Sequence, residues 1–231
     1  MLNSFKPISF QASIFTPSLN FTSGKIFAGL QQSFDTLFNG QPILIPLPPD
    51  IPKEVPVITL SSADNKFKLE VSQARLNFYR INTDESVMDS SDFISKFDLI
   101  VGEYLKLTSA TVGRLALITT KCLETPIPAK ELAEHFCKPG FLVEPFNRPE
   151  NFEIHSHKKY SFNAIEVNSW VRCKTGLLRK ENKPVIIVEQ DLNTLAEDIE
   201  KKQYSIDEIK TFFERSFKEQ QEILIKYFPI R

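Results

Sequence analysis

Glu153, His155 and His157 occupy alternate positions in the run Glu153-Ile154-His155-Ser156-His157. Side chains on a strand alternate between its two sides, so this spacing puts both imidazoles and the carboxylate together, as two nitrogen ligands and one oxygen ligand to a metal ion would require. A plainer reading competes with this one. No third histidine lies nearby, and Lys158-Lys159 continue the pattern of a solvated strand, so His155 and His157 are metal candidates on spacing alone and no metal is assigned. His135 and Cys137 suggest a nucleophilic pair, but residues two apart on a helix point about 200° away from each other. Cys122 and Cys173 fall in β-rich runs and read as small core residues.

A third cluster is basic. Trp170, Arg172 and Lys174 alternate along one strand side, and Arg179, Lys180 and Lys183 follow at the turn beyond it. Cations beside an indole suit a nucleic-acid backbone or an acidic protein surface. Glu181 and Glu189 stand close by, however, and hairpin tips commonly collect mixed charge for solubility. Glu70, Glu103, Glu166, Glu189 and Asp191 could serve an acidic hydrolase if the fold brought them together. The glycine-rich phosphate loops, the Gly-x-Ser-x-Gly elbow and Cys-x-x-Cys pairs are all missing from the sequence, so no catalytic residue and no cofactor is assigned.

The elements that must position these groups are legible from periodicity. Residues 8–16 alternate Ile8, Phe10, Ala12 and Ile14, which predicts a half-buried strand. A helix follows, capped by Thr22 or Ser23, with Phe27, Leu30, Phe34, Leu37 and Phe38 recurring until Asn39-Gly40. Six prolines from Pro42 to Pro56 then predict an extended crossing segment. Runs at 57–61, 66–72 and 74–81 read as an antiparallel meander, and 91–108 as an amphipathic helix capped from Asp89 to Ser91.

The second half reads in the same order. A strand at 112–123 precedes a short helix at about 128–137, three strand runs at 152–162, 164–178 and 184–190, and a helix at 206–228. Ser205 and Glu208 form the capping-box pattern, and Ile206, Ile209, Phe213, Phe217, Leu224 and Tyr227 share a face. The expectation is an α+β protein whose antiparallel sheet or sheets carry long amphipathic helices on one face. Two copies of a βαβββα unit, 1–110 and 111–231, would produce this order, as separate halves or as one continuous domain. So would chance.

Two stretches, 57–80 (VITLSSADNKFKLEVSQARLNFYR) and 184–228 (PVIIVEQDLNTLAEDIEKKQYSIDEIKTFFERSFKEQQEILIKYF), resemble a sporadically distributed prokaryotic family of uncharacterised proteins of similar length. Patchy occurrence implies genes that travel on mobile elements, among them defence or toxin-type modules. The resemblance supplies no site residues.

Composition narrows the function classes. Across 231 residues, 28 Lys and Arg face 29 Asp and Glu for a net charge of −1, which is not the coat of a general nucleic-acid binder. Twenty phenylalanines supply a large core, and three scattered cysteines suit reduced thiols in a cytoplasmic setting. No run is long and apolar enough for a membrane helix, and Met1 to Pro7 lacks the pattern of a secretory signal. The expectation is a non-enzymatic binding, scaffold or accessory subunit acting through a protein partner or as a homo-oligomer. The alternatives are a nucleic-acid-binding accessory protein using the basic hairpin, and a hydrolase with an acidic site that carries no motif.

Overall fold

The computed structural model describes residues 5–17, 21–46, 50–84, 86–162, 164–178 and 182–229. Nine strands form one antiparallel sheet and five α-helices accompany it among these residues. The strands are β1 (Lys6–Phe15), β2 (Ile43–Leu44), β3 (Ile58–Ser61), β4 (Phe67–Val71), β5 (Arg75–Ile81), β6 (Arg114–Glu124), β7 (Glu153–Phe162), β8 (Ile165–Leu178) and β9 (Lys183–Thr194). The helices are α1 (Ser23–Ser33), α2 (Ser90–Thr108), α3 (Pro128–Phe136), α4 (Pro139–Val143) and α5 (Ile206–Tyr227). No helix among the described residues is long and apolar enough to cross a membrane.

The sheet runs β2-β3-β4-β5-β1-β6-β9-β8-β7. Its centre is the antiparallel seam between β1 and β6, where Ala12 faces Leu117 and Ile14 faces Leu115. The two sets of strands thus join edge to edge instead of facing each other. Outward from the seam on one side come β5, β4 and β3, and on the other β9, β8 and β7, so each meander meets the seam through its last strand.

Local chemistry sets the element ends. The Asp89 side chain accepts a hydrogen bond from the Ser91 amide at 2.8 Å, and α2 stops at Ser109 in the left-handed region. At α5 the capping box is formed in both directions between Ser205 and Glu208. Thr22 is the N-cap of α1 but its side chain makes no capping bond, and the helix closes at Ser33, with Phe34 to Leu37 continuing as turns. The proline-rich segment contributes the two-residue strand β2, which borders only β3; an edge tolerates nearby prolines because few ladder bonds are needed there. The short helix α4 has no amphipathic period to announce it. Gly113 precedes β6 where a Cβ atom would lie 1.7 Å from the Ile199 carbonyl oxygen, so the close approach of these two backbones requires glycine.

Two buried clusters join the strands to the helices. The larger joins Phe10, Ala12, Ile14, Leu76, Phe78, Leu115 and Leu117 from the sheet to Ile26 and Leu30 of α1, Phe93, Phe97 and Tyr104 of α2, and Ile209, Phe212 and Phe213 of α5. Phe78 stacks on Phe93 at 5.1 Å between centroids, and Phe97 meets Phe213 edge-on at 4.8 Å. The phenylalanine stripe of α5 is therefore internal packing, since Phe213 is fully buried. The smaller cluster joins Leu132 of α3 and Leu224 of α5 to Val171, Cys173, Ile186 and Val188. Each fully buried Phe contributes about 1.5–3 kcal/mol relative to leaving it in water.

Candidate functional site

Side chains alternate along each strand, and those in the two rows that follow belong to neither buried cluster. Cross-strand register aligns them in rows. His157 pairs with Trp170, Trp170 with Asp191, Asp191 with Ile118, Ile118 with Gln11, and Gln11 with Tyr79. This one row crosses six strands drawn from both halves of the chain. In the next row Asn77, Ser13, Ala116 and Asn193 are partners in turn, and all four are buried between larger neighbours. Larger side chains thus stand beside a low strip of small ones. At a strand spacing of about 4.8 Å, that strip is about 14 Å long.

The residues of the basic cluster divide. Trp170, Arg172 and Lys174 share one side of β8 as their spacing predicts, and Lys183 begins β9 with its ammonium 3.6 Å from Glu124. Arg179 and Lys180 lie outside the described residues. The Trp170 indole stacks under the His157 imidazole at 4.1 Å and an interplanar angle of 8°, and the Arg172 guanidinium stands 5.3 Å from its centroid. Arg172 also pairs with Glu189 at 2.5 Å. Trp170, Arg172 and Lys183 are therefore engaged with neighbouring rings or acids.

His155 and His157 do project to one side, each toward a different neighbour. His155 lies 3.5 Å from the Glu153 carboxylate, while His157 shares a hydrogen bond of 3.0 Å with Asn168. No group of three His, Cys, Asp or Glu side chains that could hold a metal ion occurs among the described residues. His135 is bound to the Tyr227 carbonyl at 2.6 Å and stacked on Phe228 at 4.9 Å, and Cys137 caps α3 through its amide. Burial pushes the Cys173 thiol up to about 12 and also raises that of Cys122, so neither supplies a thiolate at neutral pH. Of the acids, Glu189 and Asp191 share one side of β9, but Glu70 stands on β4, four strand spacings or about 19 Å away.

Several members of this surface carry no sequence signal. Arg114 donates to the Asn193 side chain at 3.0 Å and to the Thr194 carbonyl at 3.2 Å, and its guanidinium lies 4.7 Å from the Phe15 ring centroid. Asn193 in turn donates to Asp191 at 2.9 Å, and burial raises the Asp191 carboxyl above its ordinary range despite that bond and the nearby Arg172 and Arg114. Across the seam, Tyr79 donates to Glu70 at 2.8 Å, and Lys68 pairs with Glu70 at 2.7 Å. These links depend on which strands become neighbours, and no local spacing announces that. Comparison of the chain with models of known protein families and with curated proteins finds no match to either.

Proposed function

We propose that the protein is a recognition subunit that binds another protein through the open side of its sheet. The helices in this reading cover one face, where both buried clusters lie, and leave the other free for a partner. One observation carries it: Trp170, Tyr79, Arg172 and Arg114 are held in place there by stacking and ion pairs before any partner arrives. Trp, Tyr and Arg contribute most of the binding energy in protein interfaces, and a surface already ordered loses little entropy on association. A nucleic-acid groove would instead offer unpaired cations and an uncovered ring. Here Lys68 and Arg172 are paired with acids and the indole is covered by His157.

The repeated strand order on either side of the seam supports a duplicated βαβββα unit, which would have doubled the area of this surface. The family resemblance supports a prokaryotic accessory role. To test the binding surface, proteins co-isolated with the tagged wild type are compared with those retained by a Trp170→Ala, Tyr79→Ala variant of unchanged melting temperature. Loss of about 2 kcal/mol or more in affinity, roughly 30-fold, is expected for a partner that docks there. An unaltered partner set, or binding of DNA with a steep salt dependence, would overturn the proposal.

A further inference from the structure

The covered side of the sheet has a separate feature that the recognition surface does not use. A cleft of about 570 Å³ opens where β1, β6, the start of α2 and the middle of α5 meet. That volume lies in the range of small-molecule sites. Phe5, Phe10, Met88 and Phe217 line it, with Phe10 and Phe217 packed edge-on at 5.0 Å. Such walls suit a flat, apolar body.

Polar groups also line it. Thr119 and Gln220 line the cleft at 1% and 2% exposure, and Thr119 Oγ1 and Gln220 Oε1 have no hydrogen-bond partner. The amide nitrogen of Gln220 is committed to the Leu117 carbonyl at 2.9 Å and the Gln190 carbonyl at 3.1 Å. With both amide hydrogens so engaged the amide does not flip, and its oxygen is left without a donor among the described residues. Lys121 also lines the cleft, donates to Gln221 at 2.8 Å, and has no carboxylate at ion-pair distance among the described residues. Burial lowers its pKa, a cost that an anion beside it would offset. With Lys218 and Glu222 also on the lining, the cleft carries two cations and one acid.

We infer that this cleft binds a small aromatic carboxylate that also carries an N–H or O–H donor. The ring lies among Phe5, Phe10, Met88 and Phe217, the carboxylate meets the Lys121 ammonium, and the donor satisfies Gln220. Water alone could serve the two oxygens, but it would leave the aromatic walls wet and the ammonium without a counter-charge.

Indole-3-acetate is a suitable probe because it has the ring, the charge and the donor. Titration of the full chain, followed by calorimetry and by amide chemical shifts, should show saturable binding with the shifts centred on Thr119, Lys121 and Gln220. Indole-3-acetamide, which lacks the charge, should bind about tenfold more weakly, the value of one charge-assisted hydrogen bond. Methylating the indole nitrogen should weaken binding as well. Lys121→Gln should reduce affinity for the acid to that for the amide and leave the amide unaffected. Because the ligand series is run on unaltered protein, poor folding of the variant cannot hide the answer. Absence of saturable binding at about 10 mM, equal affinity for acid and amide, or shifts centred on the open face would overturn the inference.

Discussion

The two halves of the sheet present different chemistry to the helices packed on them. Beside β4 and β5 the interior is aromatic: Phe67 and Phe93 both stack on Phe78, and Phe38 and Phe97 also contact its ring. Beside β6 and β9 it holds a polar seam, in which Gln190 donates to the Gln220 backbone carbonyl at 2.7 Å while Gln220 donates to two strand carbonyls. The inward side of α2 is accordingly apolar except for the Tyr104 hydroxyl, whereas that of α5 includes Ser216 and Gln220. Apolar packing is strong but does not prescribe one longitudinal position for a helix. Buried hydrogen bonds do, because a slip by one residue would strand every donor. The first half is held by contact area, and the second is also held in register.

Substitutions can break or sharpen this contrast. The largest effect is expected at Phe78→Ala, which empties the centre of the aromatic stack and should cost about 3–5 kcal/mol in denaturant unfolding. A loss under about 1 kcal/mol would show that the stack is not what holds the first half together. Gln220→Leu should cost about 1–3 kcal/mol, because the Leu117 and Gln190 carbonyls lose a donor that leucine cannot replace. A more stable variant would mean that the seam serves position alone.

The smallest effect belongs to Asp191→Asn, beside Asn193 and Arg172, and its sign depends on pH. Burial holds the native Asp191 pKa above its unfolded value, so the folded state takes up a proton first as the pH falls. Wild-type stability relative to the variant should therefore rise as the pH drops from neutrality into the ordinary carboxylate range. At neutral pH the uncharged variant should melt at the same temperature or slightly higher, since asparagine can still accept from Asn193. The opposite slope, in melting scans across pH, would contradict burial as the cause.

What could be read from the sequence follows how local each signal is. Phe67, Leu69 and Val71 alternate with Lys68 and Glu70, and the structure pairs them as β4 in the meander. The capping box at Ser205 and the shared side of Trp170 and Arg172 are equally local, and both are present. The seam between β1 and β6 was not legible, because Phe10 and Thr119 become neighbours through tertiary pairing and no motif marks either one. The same reason hid Arg114, Asn193 and Tyr79 from the candidate surface. The fate of the α5 phenylalanines was open too, since a stripe of that kind fits a core or a subunit contact equally well, and only the contact with Phe97 decides.

The central seam also dictates an order of events while the chain is being made. β1 precedes the other strands of the sheet in the chain, yet its first neighbour, β5, is complete only at Ile81 and its second, β6, only at Glu124. Until then Phe10, Ala12 and Ile14 lack the strands that border them in the finished sheet. The hairpins β3–β4–β5 and β7–β8–β9 close on consecutive partners, the kind of pairing that forms fastest. A nascent chain of this topology assembles its flanks as they emerge and holds its earliest strand in waiting, so the middle of the sheet is the part most exposed to unwanted pairing before release.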